Sequence, residues 1–272
     1  MEERTATLPG GTAMPLLGFG TWRLKGDDAY RAVLHTLEAG YRHLDTAQLY
    51  GNEESVGRAL ADSGISRQEV FLTTKFAQHH PGKEHATLSR SLERLGVEQV
   101  DLWLMHYPLK DPGEHLAVWD AFLDAAEEGM ATAVGVSNHS LAQLDTLTEA
   151  TGQMPQVNQI RFNPALYDPR LVTGHRARNT VLEGHSPLRK PGLDHPVLTE
   201  IAETHNATSA QVVIAWHLAY QVAVIPRSAH PERISSNLHA ARLHLAPADI
   251  ARIDALSRQP SGTARTRNRQ GA

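Results

Sequence analysis

Four side chains of four types, Asp45, Tyr50, Lys75 and His106, stand at or just beyond the ends of short apolar runs. The runs are HLDTAQLYGNE (His43–Glu53), FLTTK (Phe71–Lys75) and DLWLMHYP (Asp101–Pro108). Each of the four can do proton chemistry. A phenol ordinarily keeps its proton up to a pKa of about 10, and a neighbouring ammonium, by favouring the phenolate, makes it a stronger acid. A carboxylate beside the ammonium keeps it charged and in place, while an imidazole can offer a second hydrogen bond to the same acceptor. Tyr50 backed by Lys75 and Asp45, with His106 alongside, is therefore a set able to deliver a proton to an oxygen that becomes negative. Such a set needs successive buried strands that end at one shared mouth, which is what a barrel provides. Singly, the residues have plainer readings. Asp45 and Lys75 can be a structural ion pair between adjacent strands. Tyr50 can be a half-buried aromatic with a wet hydroxyl. His106 can be a packing residue, one of 16 histidines.

The elements that must position these groups are legible as an alternation. Strand-like runs fall at Leu16–Gly20, Tyr41–Leu44, Val70–Thr73, Val100–Met105, Thr132–Val136, Gln156–Ile160, Thr180–Leu182 and Val222–Ile225. Between them lie segments with apolar residues at helical spacing: Asp27–Ala39, Glu53–Asp62, His85–Leu95, Leu116–Glu127, Leu141–Ala150, Pro169–Ala177, Val197–Thr204 and Ala210–Tyr220. Strand-then-helix repetition predicts parallel strands with right-handed crossovers, and eight repeats predict an α/β fold of the (β/α)8 TIM-barrel type. TATLPGGTAMPLL, around Gly10–Gly11, predicts an N-terminal β-hairpin plugging the barrel bottom, and Ala246–Leu256 predicts an extra C-terminal helix. The tail from about 259 to 272 is polar and Arg-rich and is expected to be mobile, and no linker divides the chain, so residues 1–272 read as one domain. Gly18-Phe-Gly20 lacks the third glycine of a Rossmann fingerprint, which argues against a doubly wound sheet.

Composition narrows the classes of function. A 272-residue chain with 41% hydrophobic and 21% charged residues has enough apolar matter for a sizeable core. A net charge of −4 gives no electrostatic case for nucleic acid or an anionic membrane. The absence of cysteine excludes thiolate ligands and nucleophiles and fits a reducing compartment. No signal peptide and no run of about 20 apolar residues is visible. A cytoplasmic monomer is expected. His43, two residues before Asp45, raises the question of a metal. Residues i and i+2 share a strand face, however, and no further ligands converge on them, so no metal is predicted and His43 reads as a surface or packing residue. His79–His80, before Pro81, are expected to cap the start of a helix.

LGFGTW, HLDTAQLYGNE, FLTTK, LWLMHYP, GVSN, QVNQ, SPL and IPRS…PERI…N occur in the order found in the aldo-keto reductase superfamily. The resemblance runs from about Met14 to Asp254. It is greatest to compact bacterial members with short mouth loops, of the diketogluconate reductase kind. It implies reversible hydride transfer between NADPH and a carbonyl, with Asp45, Tyr50, Lys75 and His106 as the catalytic set and Tyr50 as proton donor. It further implies that Ser137, Asn138 and Gln159 hold the nicotinamide carboxamide, with Thr21, Trp22 and Asp45 also near the cofactor. His185 takes the place of the ring that stacks on the nicotinamide. Ser186, Pro187 and Leu188 pass along the pyrophosphate, while Arg227, Ser228 and Arg233 clamp the adenosine 2′-phosphate and Asn237 reaches the adenine. Without the resemblance, GVSN alone is a turn-forming Ser-Asn, and Arg227 a surface residue. Two arginines and a hydroxyl near a helix start nevertheless suit a dianionic phosphate.

Trp22, Tyr50, Phe76, His106 and Tyr107 are expected to line an aromatic substrate cup open to aldehydes, α-keto compounds or diketones of modest size. Three positions depart from the family pattern. His185 stands where tyrosine or tryptophan is usual, predicting weaker and pH-sensitive stacking. Tyr107 replaces a common tryptophan. Arg161 replaces a common acid, with an expected effect on an ion pair outside the pocket. An NADPH-dependent carbonyl reductase competes with two other readings: a cofactor-binding regulatory barrel with little turnover, which would not need all four proton-handling groups, and a metal-dependent barrel hydrolase, which chelators would inactivate.

Overall fold

A computed structural model describes residues 4–77 and 81–258. The expected helix cap at His79–His80 and the tail from 259 onward lie outside the described residues. A short antiparallel hairpin comes first, β1 (Thr5–Thr7) and β2 (Ala13–Pro15). Eight strands follow: β3 (Phe19–Gly20), β4 (His43–Asp45), β5 (Phe71–Phe76), β6 (Val100–Met105), β7 (Ala131–Ser137), β8 (Val157–Arg161), β9 (Val181–His185) and β10 (Ala223–Val224). All are parallel and paired in chain order. The ring closes where the Gly18 amide donates to the Val224 carbonyl at 2.9 Å and the Val224 amide to the Leu16 carbonyl at 2.7 Å. Helices lie between the strands, α1 (Gly26–Ala39), α2 (Glu53–Asp62), α3 (Glu84–Leu95), α4 (Pro112–Glu127), α5 (Leu141–Thr151), α6 (Pro169–Ala177), α7 (Pro196–Thr204) and α8 (Ser209–Ala219), and α9 (Pro231–Leu238) follows β10. This is a (β/α)8 barrel.

The hairpin sits at the bottom, as expected. The Pro15 carbonyl accepts from His43 Nδ1 at 2.9 Å, at the first residue of β4, and Leu8 and Met14 are buried beneath the strands. The extra helix is α10 (Pro247–Asp254), continued by a 3-10 turn at Ala255–Arg258. It is tied to α8 through Asp254, which accepts from Trp216 Nε1 at 2.9 Å and from the Tyr220 hydroxyl at 2.6 Å.

Side-chain alternation along the strands decides what enters the lumen. On β5 every residue is buried. Lys75 points toward Asp45 on the lumen side, whereas Phe76, one residue on, turns outward to pack edge-on against Trp103 and Phe122. Trp103 and Phe122 stack at 3.7 Å between ring centres, fixing α4 against β6. Helix–helix contact is equally close at Gly57, where a β-carbon would lie 2.3 Å from the Leu95 carbonyl oxygen, so α2 can approach α3 only with glycine there.

Candidate active site

The C-terminal ends of the strands bring Asp45, Tyr50, Lys75 and His106 together. Lys75, fully buried, places its Nζ 2.5 Å from Asp45 Oδ2, 2.9 Å from the Thr46 carbonyl and 3.4 Å from the Tyr50 hydroxyl. Tyr50 comes from a 3-10 turn at Gln48–Tyr50, ended by Gly51 in the left-handed region at φ 59. Its ring meets that of His106 edge-on at 5.7 Å, and Lys75 Nζ lies 5.0 Å from its ring centre. His106 in turn stacks on Tyr107 at 4.8 Å.

Burial governs the electrostatics. It draws Lys75 toward the neutral amine, but Asp45, Tyr50 and Glu183 together outweigh it and leave the ammonium favoured. Burial pushes Tyr50 up to about 12, and the opposing pull of Lys75 only partly offsets this. Lys75 makes Tyr50 the stronger acid, as expected, but desolvation of the phenolate exceeds that attraction and leaves Tyr50 above a free phenol. Tyr50 is a neutral, proton-bearing phenol. His106 is driven down to about 3, first by burial and then by Lys75, and is a neutral imidazole whose buried Nδ1 has no partner among the described residues.

A cavity of about 460 Å³ opens over this set. Its walls include Trp22, Asp45, Tyr50, His106, Tyr107, Ser137, Asn138, Gln159, His185, Ser186, Pro187, Leu188 and Arg227. A second, of about 530 Å³, meets it at Leu188 and Arg227 and is walled by Ser228, just before α9, and by Arg233 and Asn237 on that helix. Asn138, at φ 62, donates to the His106 carbonyl at 3.1 Å and to Ser137 Oγ at 3.0 Å. Ser137 Oγ donates to the Gln159 carbonyl at 2.8 Å. The arc of side chains over the cavity is therefore held by its own hydrogen bonds.

The identity of this frame follows from comparison with known proteins. The model of the aldo/keto reductase family matches residues 16–258. The chain belongs to the aldo/keto reductase family. It is thereby an NAD(P)H-dependent oxidoreductase acting on carbonyl groups. An aldo-keto reductase of Mycolicibacterium smegmatis is 40% identical over 253 residues, 92% of each chain. The glycerol 2-dehydrogenase (NADP(+)) of Saccharomyces cerevisiae is 36% identical, with 87% of this chain and 86% of the yeast protein matched. The crystal structure of an aldo/keto reductase from Brucella melitensis superposes with a TM-score of 0.90 at 38% identity, covering 93% of this chain and 99% of that one.

Within this reductase frame, three expected placements and one expected titration change. Phe76 is fully buried on the helix side of β5 and does not line the substrate cavity, because it alternates with the lumen-facing Lys75. Thr21 is fully buried, and its hydroxyl is spent on the Asp45 carbonyl at 3.0 Å rather than on the cavity. Arg161 lines the cavity itself instead of acting outside it, since it shares a strand face with Gln159 two residues earlier. His185 is depressed to about 4, first by burial and then by Lys75, so its titration falls well below neutral pH. Its Nε2 meets Asn138 Oδ1 at 3.2 Å and its Nδ1 the Ser186 hydroxyl at 3.1 Å. His43 is a packing residue, fully buried.

Sequence reasoning missed Glu183, a fully buried carboxyl two residues before His185 and so on the same strand face; the period of two in VLEGH was the available signal. It also missed Arg23 and Arg189 on the first cavity. Among the described residues no group of three His, Asp or Glu is placed to hold a metal ion, and no helix is long and apolar enough to cross a membrane.

Proposed function

We propose that this reductase uses NADPH to reduce an aldehyde or ketone to an alcohol, with Tyr50 as the proton donor. The reading rests on one observation above the others: a neutral phenol, 3.4 Å from a buried ammonium and edge-on to a neutral imidazole, facing a cavity. A carbonyl oxygen held between the Tyr50 hydroxyl and His106 would take its proton from Tyr50. The ammonium of Lys75 then stabilises the phenolate left behind, and Asp45 holds that ammonium in place. With its Nδ1 enclosed, His106 turns Nε2 to the substrate, where the N–H orients the same oxygen.

The cofactor fits the paired cavities. Ser137, Asn138 and Gln159 lie on the catalytic cavity and Arg233 on the second, while Leu188 and Arg227 border both. Bound there, the dinucleotide would supply hydride to the carbonyl carbon. Arg227, Ser228 and Arg233 would hold a 2′-phosphate and Asn237 the adenine, in keeping with the NADP(+) in the yeast relative's name. Exposed Trp22, Leu49 and Tyr107 leave the mouth wide, which suits aldehydes, α-keto compounds and diketones of modest size.

The test is NADPH oxidation with a carbonyl panel. Turnover is expected with at least one of these classes. Tyr50→Phe should slow it by roughly two to four powers of ten, within the range for a lost acid–base group, while still binding NADPH. Tight NADPH binding with no turnover of any carbonyl, or near-normal rates in Tyr50→Phe, would sink the reading.

A further inference from the structure

Gln159 links two carboxyl groups inside the barrel. Its amide nitrogen donates to Asp45 Oδ2 and to Glu183 Oε2, each at 2.8 Å. With both N–H bonds taken, the amide cannot turn over, and Oε1 is the end left to the cavity that Gln159 lines. Glu183 lies on β9 directly across from Gln159 and, on its other side, across from Ala223 of β10. The groups that face it are Asp45 and His43 from β4 and Lys75 from β5, with His217 of α8 packed behind the adjoining Gly184.

Charge balance requires one of the two carboxyls to carry a proton. Among the described residues, the cation that acts on both carboxyls is Lys75, and its 2.5 Å contact is with Asp45. A second carboxylate there would be a buried anion without a counter-ion, which is costly. The tautomer of His43 indicates where the proton sits. Because His43 Nδ1 faces the Pro15 carbonyl at 2.9 Å, it carries the hydrogen, so Nε2 presents a lone pair. Glu183 Oε1 lies 3.6 Å from that lone pair and has no other partner among the described residues. A protonated Oε1 complements His43, while Oε2 remains free to accept from Gln159.

We propose that Glu183 is a positioning residue for the reduction: as a neutral acid it locks Gln159 with its oxygen toward the nicotinamide carboxamide and leaves Lys75 to Asp45 alone. The proposal rests on the reading above, in which Gln159 holds that carboxamide. Burial, reinforced by Asp45, pushes Glu183 up to about 8, so in mild alkali the acid ionises and the new anion competes with Asp45 for Lys75.

Two substitutions separate acceptor from charge. E183Q can still accept from Gln159 but cannot ionise, whereas E183L does neither. Titration of tryptophan fluorescence with NADPH should give E183Q a Kd within about twofold of wild type, and E183L a Kd raised about tenfold, the size of one net hydrogen bond. The kcat/KM of wild type should fall through a step near pH 8, and E183Q should lack that step. If E183L binds NADPH as tightly as wild type, if E183Q binds as poorly as E183L, or if E183Q keeps the alkaline step, the proposal is overturned. Should E183L fail to fold, the E183Q pH profile decides alone. A wild-type protein without NADPH turnover would instead overturn the underlying reading, so the two failures are distinguishable.

Discussion

At the residue scale the site is a problem of buried charge. Lys75 and Asp45 are enclosed almost completely, and each makes the other tolerable. Removing one partner of such a pair strands the other without water or counter-ion, at a typical cost of about 3–5 kcal/mol, whereas removing both together costs much less. Lys75→Met should therefore lower stability by about that amount. The double variant Asp45→Asn, Lys75→Met should recover a good part of it while remaining inactive. Urea unfolding of the two proteins checks this; equal stability for single and double variants would mean that the pair contributes nothing as a pair. The sequence identified these residues because each differs in type from the apolar run that carries it. It foresaw the pull of Lys75 on Tyr50 but not the desolvation that exceeds it, because desolvation depends on how much protein surrounds a group, and spacing along the chain carries no such information.

At the element scale the alternation of strands and helices was legible, and two helices, Glu53–Asp62 and Pro169–Ala177, begin and end where the pattern says. Helix starts were misread where proline precedes the apolar stripe. α4 begins at Pro112, capped by Asp111 accepting from the Glu114 amide at 2.8 Å, four residues before Leu116. Proline is favoured at the first helical position, where its missing N–H is no loss, so the apolar pattern alone reads such helices short. Phe76 shows the opposite hazard: an aromatic at a strand end looks like a pocket wall, yet the period of two sends it to the helices. The start of α9 carries a prediction of its own. Arg233, with Arg227 and Ser228, borders the second cavity. If these groups hold a 2′-phosphate, Arg233→Ala should raise the Kd for NADPH about tenfold and leave that for NADH nearly unchanged, the value of roughly one charge-assisted contact. Equal losses for both dinucleotides in fluorescence titrations would contradict the clamp.

At the scale of the whole molecule, the barrel keeps many of its 16 histidines away from water. Burial drives His43, His106, His115, His139, His175, His185 and His217 below the ordinary imidazole value, with His106 at about 3 and His139, His185 and His217 at about 4. These groups are neutral in the folded barrel and take up protons below about pH 6.5 once the chain unfolds. The unfolded state then binds more protons than the folded one, so stability rises with pH through this window and is lost as pH falls from 6.5 toward 4. Each such histidine adds a slope approaching about 1.4 kcal/mol per pH unit. Glu183, raised instead of lowered, acts in the opposite sense between about pH 4.5 and 8, but it is one group against seven. The midpoint urea concentration for unfolding should therefore fall steeply between pH 6.5 and 5, with the loss beginning above the range in which surface carboxylates titrate. A midpoint that stays flat down to pH 5 would mean that water reaches these imidazoles in the folded state, and that the enclosed lumen on which the neutral forms of His106 and His185 depend is open.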